Sequence, residues 1–123
     1  MGRLKAEFID RVENFSHRVM DVAETLESQH RSWRIIDQMI GAGSSVGANV
    51  CESDEALSRK DFAKGLGIAL KELGEARYWL RFVVRRRWLP SRRLDLLQKE
   101  AIEIKRILGA MVTRTNRNSK AVR

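Results

Sequence analysis

The sequence predicts an all-α fold, an antiparallel up-down-up-down four-helix bundle, on three observations. Apolar residues recur every three or four positions in four separate segments. The interruptions between the segments are short, which makes consecutive helices antiparallel neighbours. One proline in 123 residues and almost no turn clusters leave long helices as the main element, and neither a strand pattern nor a solenoid-length repeat is present.

The first seam is Leu4, Phe8, Val12, Phe15, Val19, Val22 and Leu26, and Gln29 to Ser32 interrupts it. Trp33 opens the second segment, which runs to about Cys51. Its centre, Gln38 to Cys51, has no charged residue in a chain that is 33% charged. At 100° per residue Ile36, Met39, Gly43, Val46 and Val50 share one face. Ser45, Asn49 and Glu52 lie roughly opposite, with Gly41, Ser44 and Ala48 beside them. A helix apolar on one face and small and uncharged on the other is expected to be covered on both sides, with the rest of the chain packed against it. The polar stripe Ser45–Asn49–Glu52 then faces another helix or a neighbouring subunit; a simply wet stripe is the alternative.

A polar turn is expected over Ser53 to Leu57. Ser58 follows as an N-cap, with Asp61 in the place of a capping-box acid. The third seam is Phe62, Leu66, Ala69, Leu73, Ala76, Leu80 and Val83. Gly65, Gly67 and Gly74 interrupt it at a cost of about 1 kcal/mol each, which close approach to a neighbouring helix would offset. Pro90 and Ser91 mark the next break, and either suits the start of a helix. Leu94, Leu97, Ala101, Ile104, Leu108 and Met111 complete the pattern. From Thr113 the periodicity is lost, so residues 1–112 form the bundle and 113–123 a mobile basic tail.

This length makes one domain. Cys51 is the only cysteine, so no intrachain disulfide is possible, which suits a reducing compartment. The amino-terminal residues lack the apolar core of a signal peptide, and the longest uncharged run is too short and too rich in Gly and Ser to span a membrane. A soluble cytoplasmic protein is expected.

Net charge is +8 and unevenly placed: residues 1–80 hold 11 Lys/Arg against 13 Asp/Glu, and residues 81–123 hold 13 against 3. Such asymmetry indicates a polyanion partner, most often nucleic acid; a solubilising face with a basic tail is the bland alternative. The candidate contacts are Arg85, Arg86 and Arg87 where the third helix ends, and Arg92 and Arg93 across the turn. Lys99 and Arg106 follow in register with Arg92, and Arg114, Arg117 and Lys120 extend the charge. Arginines at a helix C-terminus suit its dipole, but Arg92 and Arg93 at a helix start gain nothing from it. These side chains would contact phosphates without reading bases. Trp88 either stacks on a base or closes the end of the core.

Other chemistries find no support in the sequence. Gly41 to Gly47, GAGSSVG, follows no strand and lacks the lysine of a phosphate-binding loop. His17, His30 and Cys51 have no metal-ligand spacing, and nothing in sequence orients Cys51 with His17 as a nucleophile pair. Glu72 and Glu75 are expected to make structural ion pairs with Lys71 and Arg77. No enzyme, cofactor or metal site is expected.

Ala42, Ser45, Val46, Asn49 and Glu52, then Ser58 and Phe62, then Ala69, Leu70, Glu72 and Glu75 resemble the 23S rRNA intervening-sequence protein family, four-helix-bundle proteins encoded within bacterial large-subunit ribosomal RNA. The family pattern reads approximately Arg-Ala-Ala-x-Ser-Ile-x-x-Asn-Ile-x-Glu, Ser-x-x-x-Phe and Ala-Leu-x-Glu, and Tyr78-Trp79-Leu80 fits it too. Gly41 stands where the pattern has a basic residue and Gly43 where it has alanine. The resemblance covers roughly Leu4 to Met111. It implies a ring-like homo-oligomer, a homopentamer, with no established enzymatic activity. The related accessory proteins of diversity-generating retroelements add a basic barrel that binds a reverse transcriptase and nucleic acid. Two classes of function follow: a nucleic-acid-associated homo-oligomer, or an adaptor recruiting an acidic protein or a reverse transcriptase.

Overall fold

Four helices form where the four seams begin and end: α1 (Ala6–Ser28), α2 (Trp33–Asp54), α3 (Arg59–Arg85) and α4 (Ser91–Val122). The computed structural model describes residues 2–122, with side chains described through 117, and no strand occurs among them. The seams supply the core. Phe15, Leu26, Ile36, Met39, Leu66, Leu73, Leu80, Ile104 and Leu108 are its largest fully buried side chains. Ser58 caps α3 as its position predicts, its Oγ accepting the Asp61 backbone N–H at 3.1 Å.

The small residues of α2 set how the bundle closes. A methyl group on Gly43 would lie 2.5 Å from Val19 Cγ1, and one on Gly47 would lie 2.8 Å from Ser16 Oγ. Ser16 Oγ instead accepts the Gly47 backbone N–H at 3.1 Å. One turn further on, Cys51 Sγ donates to Glu13 Oε1 at 3.2 Å. The partners run backwards along α1 as they run forwards along α2, the register of an antiparallel pair. On the other flank of α2, Gly65 of α3 faces Ser53, and a Cβ there would collide with the Ser53 hydroxyl.

Two features depart from the sequence reading. Ser53 lies in the last turn of α2 and is buried, not part of a polar turn, because Gly65 leaves room for it; the connection shrinks to residues 55–58. The second is one of extent only: beyond Val112, where a mobile tail is expected, α4 continues as backbone helix to Val122. After Gly109 no glycine or proline stops it, and Thr115 Oγ bonds back to the Met111 carbonyl at 2.9 Å. The side chains of residues 118–122, Lys120 among them, and Arg123 lie outside the described residues.

The α1–α4 edge is the open side of the bundle. Arg11 and Glu100 bridge it with two hydrogen bonds of 2.7 Å. Cavities flank this bridge: one of about 210 Å³ between Val22 and Leu89, Leu94 and Leu97, and one of about 510 Å³ between Leu4, Phe8, Ile107 and Met111. Among the described residues, no helix is long and apolar enough to cross a membrane.

The glycines divide into two kinds with opposite expected behaviour. Gly43→Ala should destabilise the protein by about 1–3 kcal/mol, because overpacking against Val19 outweighs the gain in helix propensity. Gly74, whose Cβ direction is open, should gain about 0.5–1 kcal/mol as Gly74→Ala. Urea unfolding of both variants beside the parent checks the two signs.

Candidate functional site

Both connections at one end of the bundle, here called the arginine pole, close by the same backbone device. After α1, the Arg31 N–H donates to the Leu26 carbonyl at 3.1 Å and the His30 N–H to Glu27 at 2.9 Å. After α3, the Trp88 N–H donates to Val83 and the Arg87 N–H to Val84, both at 3.0 Å. These are Schellman closures, whose left-handed residue is usually glycine. Here the left-handed residues are His30, with φ 57°, and Arg87, with φ 61°. A side chain in that conformation costs about 1–2 kcal/mol. The two turns touch: the Arg31 guanidinium sits over the Trp88 ring, 5.3 Å from its centroid.

Arg85, Arg86, Arg87, Arg92 and Arg93 are all exposed at this pole, as the sequence groups them. Arg31 and Arg34 join them from the α1–α2 side. Sequence reading missed these two because they belong to the half whose charges nearly cancel. A usable signal was there: residues 28–36 and 76–94 contain no Asp or Glu, so both turns are free of carboxylates. The nearest acids in sequence are Glu27, Asp37, Glu75 and Asp95. None of the seven arginines forms an ion pair; among the described residues the ion pairs are Arg11–Glu100 and Arg106–Glu103. Neither α2 nor α4 has an acidic residue in its first turn, and Arg34, Arg92 and Arg93 stand there against the positive end of the helix dipole.

The remaining cations do not join the pole. Lys99 and Arg106 lie on the outer face of α4 in register with Arg92, as expected, and Arg117 continues that stripe. At 1.5 Å per residue Arg92 and Arg117 are separated by about 37 Å along the axis. Arg106 is engaged with Glu103 at 2.9 Å. Arg114 turns toward α1, where it lines the larger cavity with Arg3, Lys5 and Arg11. The basic third thus separates into a dense pole, a thin stripe and a far end.

Trp88 is half-buried and edge-packed on Phe82 at 5.8 Å, so it closes the end of the core. Phe82, Trp79 and Tyr78 continue a run of edge-on aromatic contacts along α3. On α2, Ser45 and Asn49 are half-buried and Glu52 is exposed. The Asn49 amide donates to the Ser45 carbonyl at 2.8 Å, so its own helix supplies one partner.

The other candidates resolve as follows. Gly41 to Gly47 lies in the middle of α2 and forms no loop. Cys51 and His17 both line a shallow groove between α1 and α2 with Glu13 and Met20, but among the described residues the thiol bonds to Glu13 and not to His17. Burial, then the Glu13 hydrogen bond and its negative charge, push the Cys51 thiol up to about 11, so it stays protonated and unreactive near neutral pH. Glu72 and Glu75 form no ion pair among the described residues, contrary to the sequence reading, although Lys71 stands i, i+4 from Glu75 on α3; Arg77 lies about 140° or more around the helix from both. No group of three His, Cys, Asp or Glu among the described residues is placed to hold a metal.

A crystal structure at 1.70 Å of a protein of unknown function from the S23 ribosomal protein family, from Bacteroides thetaiotaomicron, is similar to this fold. The two superpose with a TM-score of 0.81 at 28% identity, covering 85% of this chain and 97% of that one. No curated protein matches the chain. The family model for the 23S rRNA-intervening sequence protein matches residues 5–110, nearly the whole bundle. The chain belongs to the 23S rRNA-intervening sequence protein family.

Proposed function

We infer that this protein is a non-enzymatic helical bundle that binds nucleic acid through its arginine pole and works as a homo-oligomer, a pentameric ring by family resemblance. One observation supports the binding role above the rest: seven arginines without ion pairs gather on two carboxylate-free turns at one end. Solvated surface charge is usually interspersed with its opposite and needs no strained backbone. Here like charges crowd together, and one of them, Arg87, occupies a position where glycine would be more stable. A phosphate backbone relieves the crowding and releases counterions as it binds. Lys99, Arg106 and Arg117 would extend the contact along α4 from the pole, with Arg114 and Lys120 as outlying members.

Assembly has separate support. Gly41 and Gly67 face open space in the single chain, so nothing within the protomer accounts for glycine there. The half-buried Ser45 and Asn49, beside exposed Glu52, lie on the uncharged side of α2 and would form part of a contact between copies. A ring repeats the pole in every subunit, and linked weak sites bind a polyanion far more tightly than one does.

Three measurements test this reading. Affinity for a nucleic acid, followed by fluorescence anisotropy, should fall steeply as salt rises, with a log–log slope that becomes shallower by about 0.7–0.9 for each pole arginine changed to alanine. Binding that ignores both salt and Arg85→Ala, Arg86→Ala and Arg92→Ala overturns it in favour of an adaptor. Arg87→Gly should raise unfolding free energy by about 1 kcal/mol while weakening binding, the trade expected where charge is kept at the expense of stability. Light scattering should report a smaller particle for Ser45→Leu with Asn49→Leu than for the parent; an unchanged mass removes that stripe from the contact.

A further inference from the structure

We propose that the arginine pole takes single-stranded nucleic acid, with an unpaired base stacked on Trp33. This rests on the pole being a nucleic-acid site and adds which form of nucleic acid it accepts.

The three tryptophans have different surroundings. Trp79 and Trp88 are half-buried within the aromatic run of α3 and the turn that follows. Trp33, the first residue of α2, is 57% exposed, the most exposed aromatic of the chain. A large indole is rarely left in water to this extent. In sequence Trp33 stands between Arg31 and Arg34, two of the arginines at the pole, and among the described residues no aromatic or cation–π contact engages it. A free π-face beside uncompensated guanidinium groups matches the recognition of single strands, in which cations follow the backbone and aromatics receive bases.

The shape of the pole points the same way. A duplex is read by the side of a helix or by a two-stranded ribbon entering a major groove about 12 Å wide. The pole is built of two turns and the helix ends beside them, not of a helix flank or a two-stranded ribbon. Paired bases are stacked on their neighbours and have no face to give Trp33, whereas unpaired ones do.

The test compares the full-length protein binding a labelled oligothymidylate of about 15 nucleotides and a mixed-sequence duplex of the same length, by anisotropy at fixed low salt. The single strand should bind more tightly. Trp33→Ala should weaken that binding about tenfold, with Trp33→Phe retaining most of it. The salt slope should stay as in the parent, because stacking releases no counterions. Tyr78, 48% exposed but already under Arg81, provides the control Tyr78→Ala, expected to leave binding unchanged. Equal affinity for the duplex, or Trp33→Ala binding like the parent, overturns the proposal while leaving the pole a nucleic-acid site. Trp33→Ala that alters only particle mass overturns it as well and makes Trp33 a contact between subunits. Failure of the parent to bind either nucleic acid removes this proposal and the pole reading together.

Discussion

Close contact between α1 and α2 is the constraint on which the rest of the molecule depends. Two glycines, Gly43 and Gly47, let the backbone of α2 approach Val19 and Ser16. That approach sets the antiparallel register of the first pair, and with it the height at which the first turn ends. With α3 laid on the other flank through the Gly65–Ser53 contact, the second turn ends at the same height. Arg31 over Trp88 is the result. Seven arginines converge at one pole because α1 and α2, and then α3 and α4, double back at matching levels.

That arrangement has an electrostatic consequence. Antiparallel helices bring two C-termini and two N-termini to each end of the bundle, so their dipoles largely cancel. The arginines on the α3 side gain what a helix C-terminus offers, but those opening α2 and α4 lose it again. With no carboxylate in either turn, none of the seven arginines at the pole is in an ion pair among the described residues. Elsewhere the chain behaves differently: Arg11 is clamped by Glu100 across the open edge and Arg106 by Glu103 along α4. Pairing is therefore available to this sequence and is absent where the charge is densest.

Much of this was legible in the residues. The four seams located the four helices, to within a few positions everywhere but the end of α4, Ser58 capped where its spacing said it would, and the apolar face of α2 was read correctly from angular position alone. What stayed hidden were facts about proximity. Ser53 looks like a turn residue until Gly65 is seen beside it. Arg31 and Arg34 look neutralised until the first turn is seen against the second, Arg31 over Trp88, with neither arginine in an ion pair. The lost periodicity after Val112 reads as a loose end, yet period reports burial rather than helicity: a helix that has run past its partner needs no apolar stripe. The basic third was likewise one block in sequence, and only the geometry of α4 divides it by sending Lys99 and Arg106 along the outer face and Arg114 toward α1.

The two tryptophans of the pole show how the turns divide structural from available groups. Trp88 directly follows the left-handed residue of its Schellman closure, where an apolar side chain folds back onto the helix it has just left. It packs on Phe82 and lies under Arg31, so its surfaces are already used. In the first turn the equivalent position is Arg31, whose guanidinium supplies that cover. Trp33 comes two residues later, after the chain has turned into α2, and its side chain is 57% exposed while Ile36, one turn on, is buried. Two closures of the same backbone form thus leave one indole packed and the other exposed, and the exposed one stands between Arg31 and Arg34, neither of which is in an ion pair.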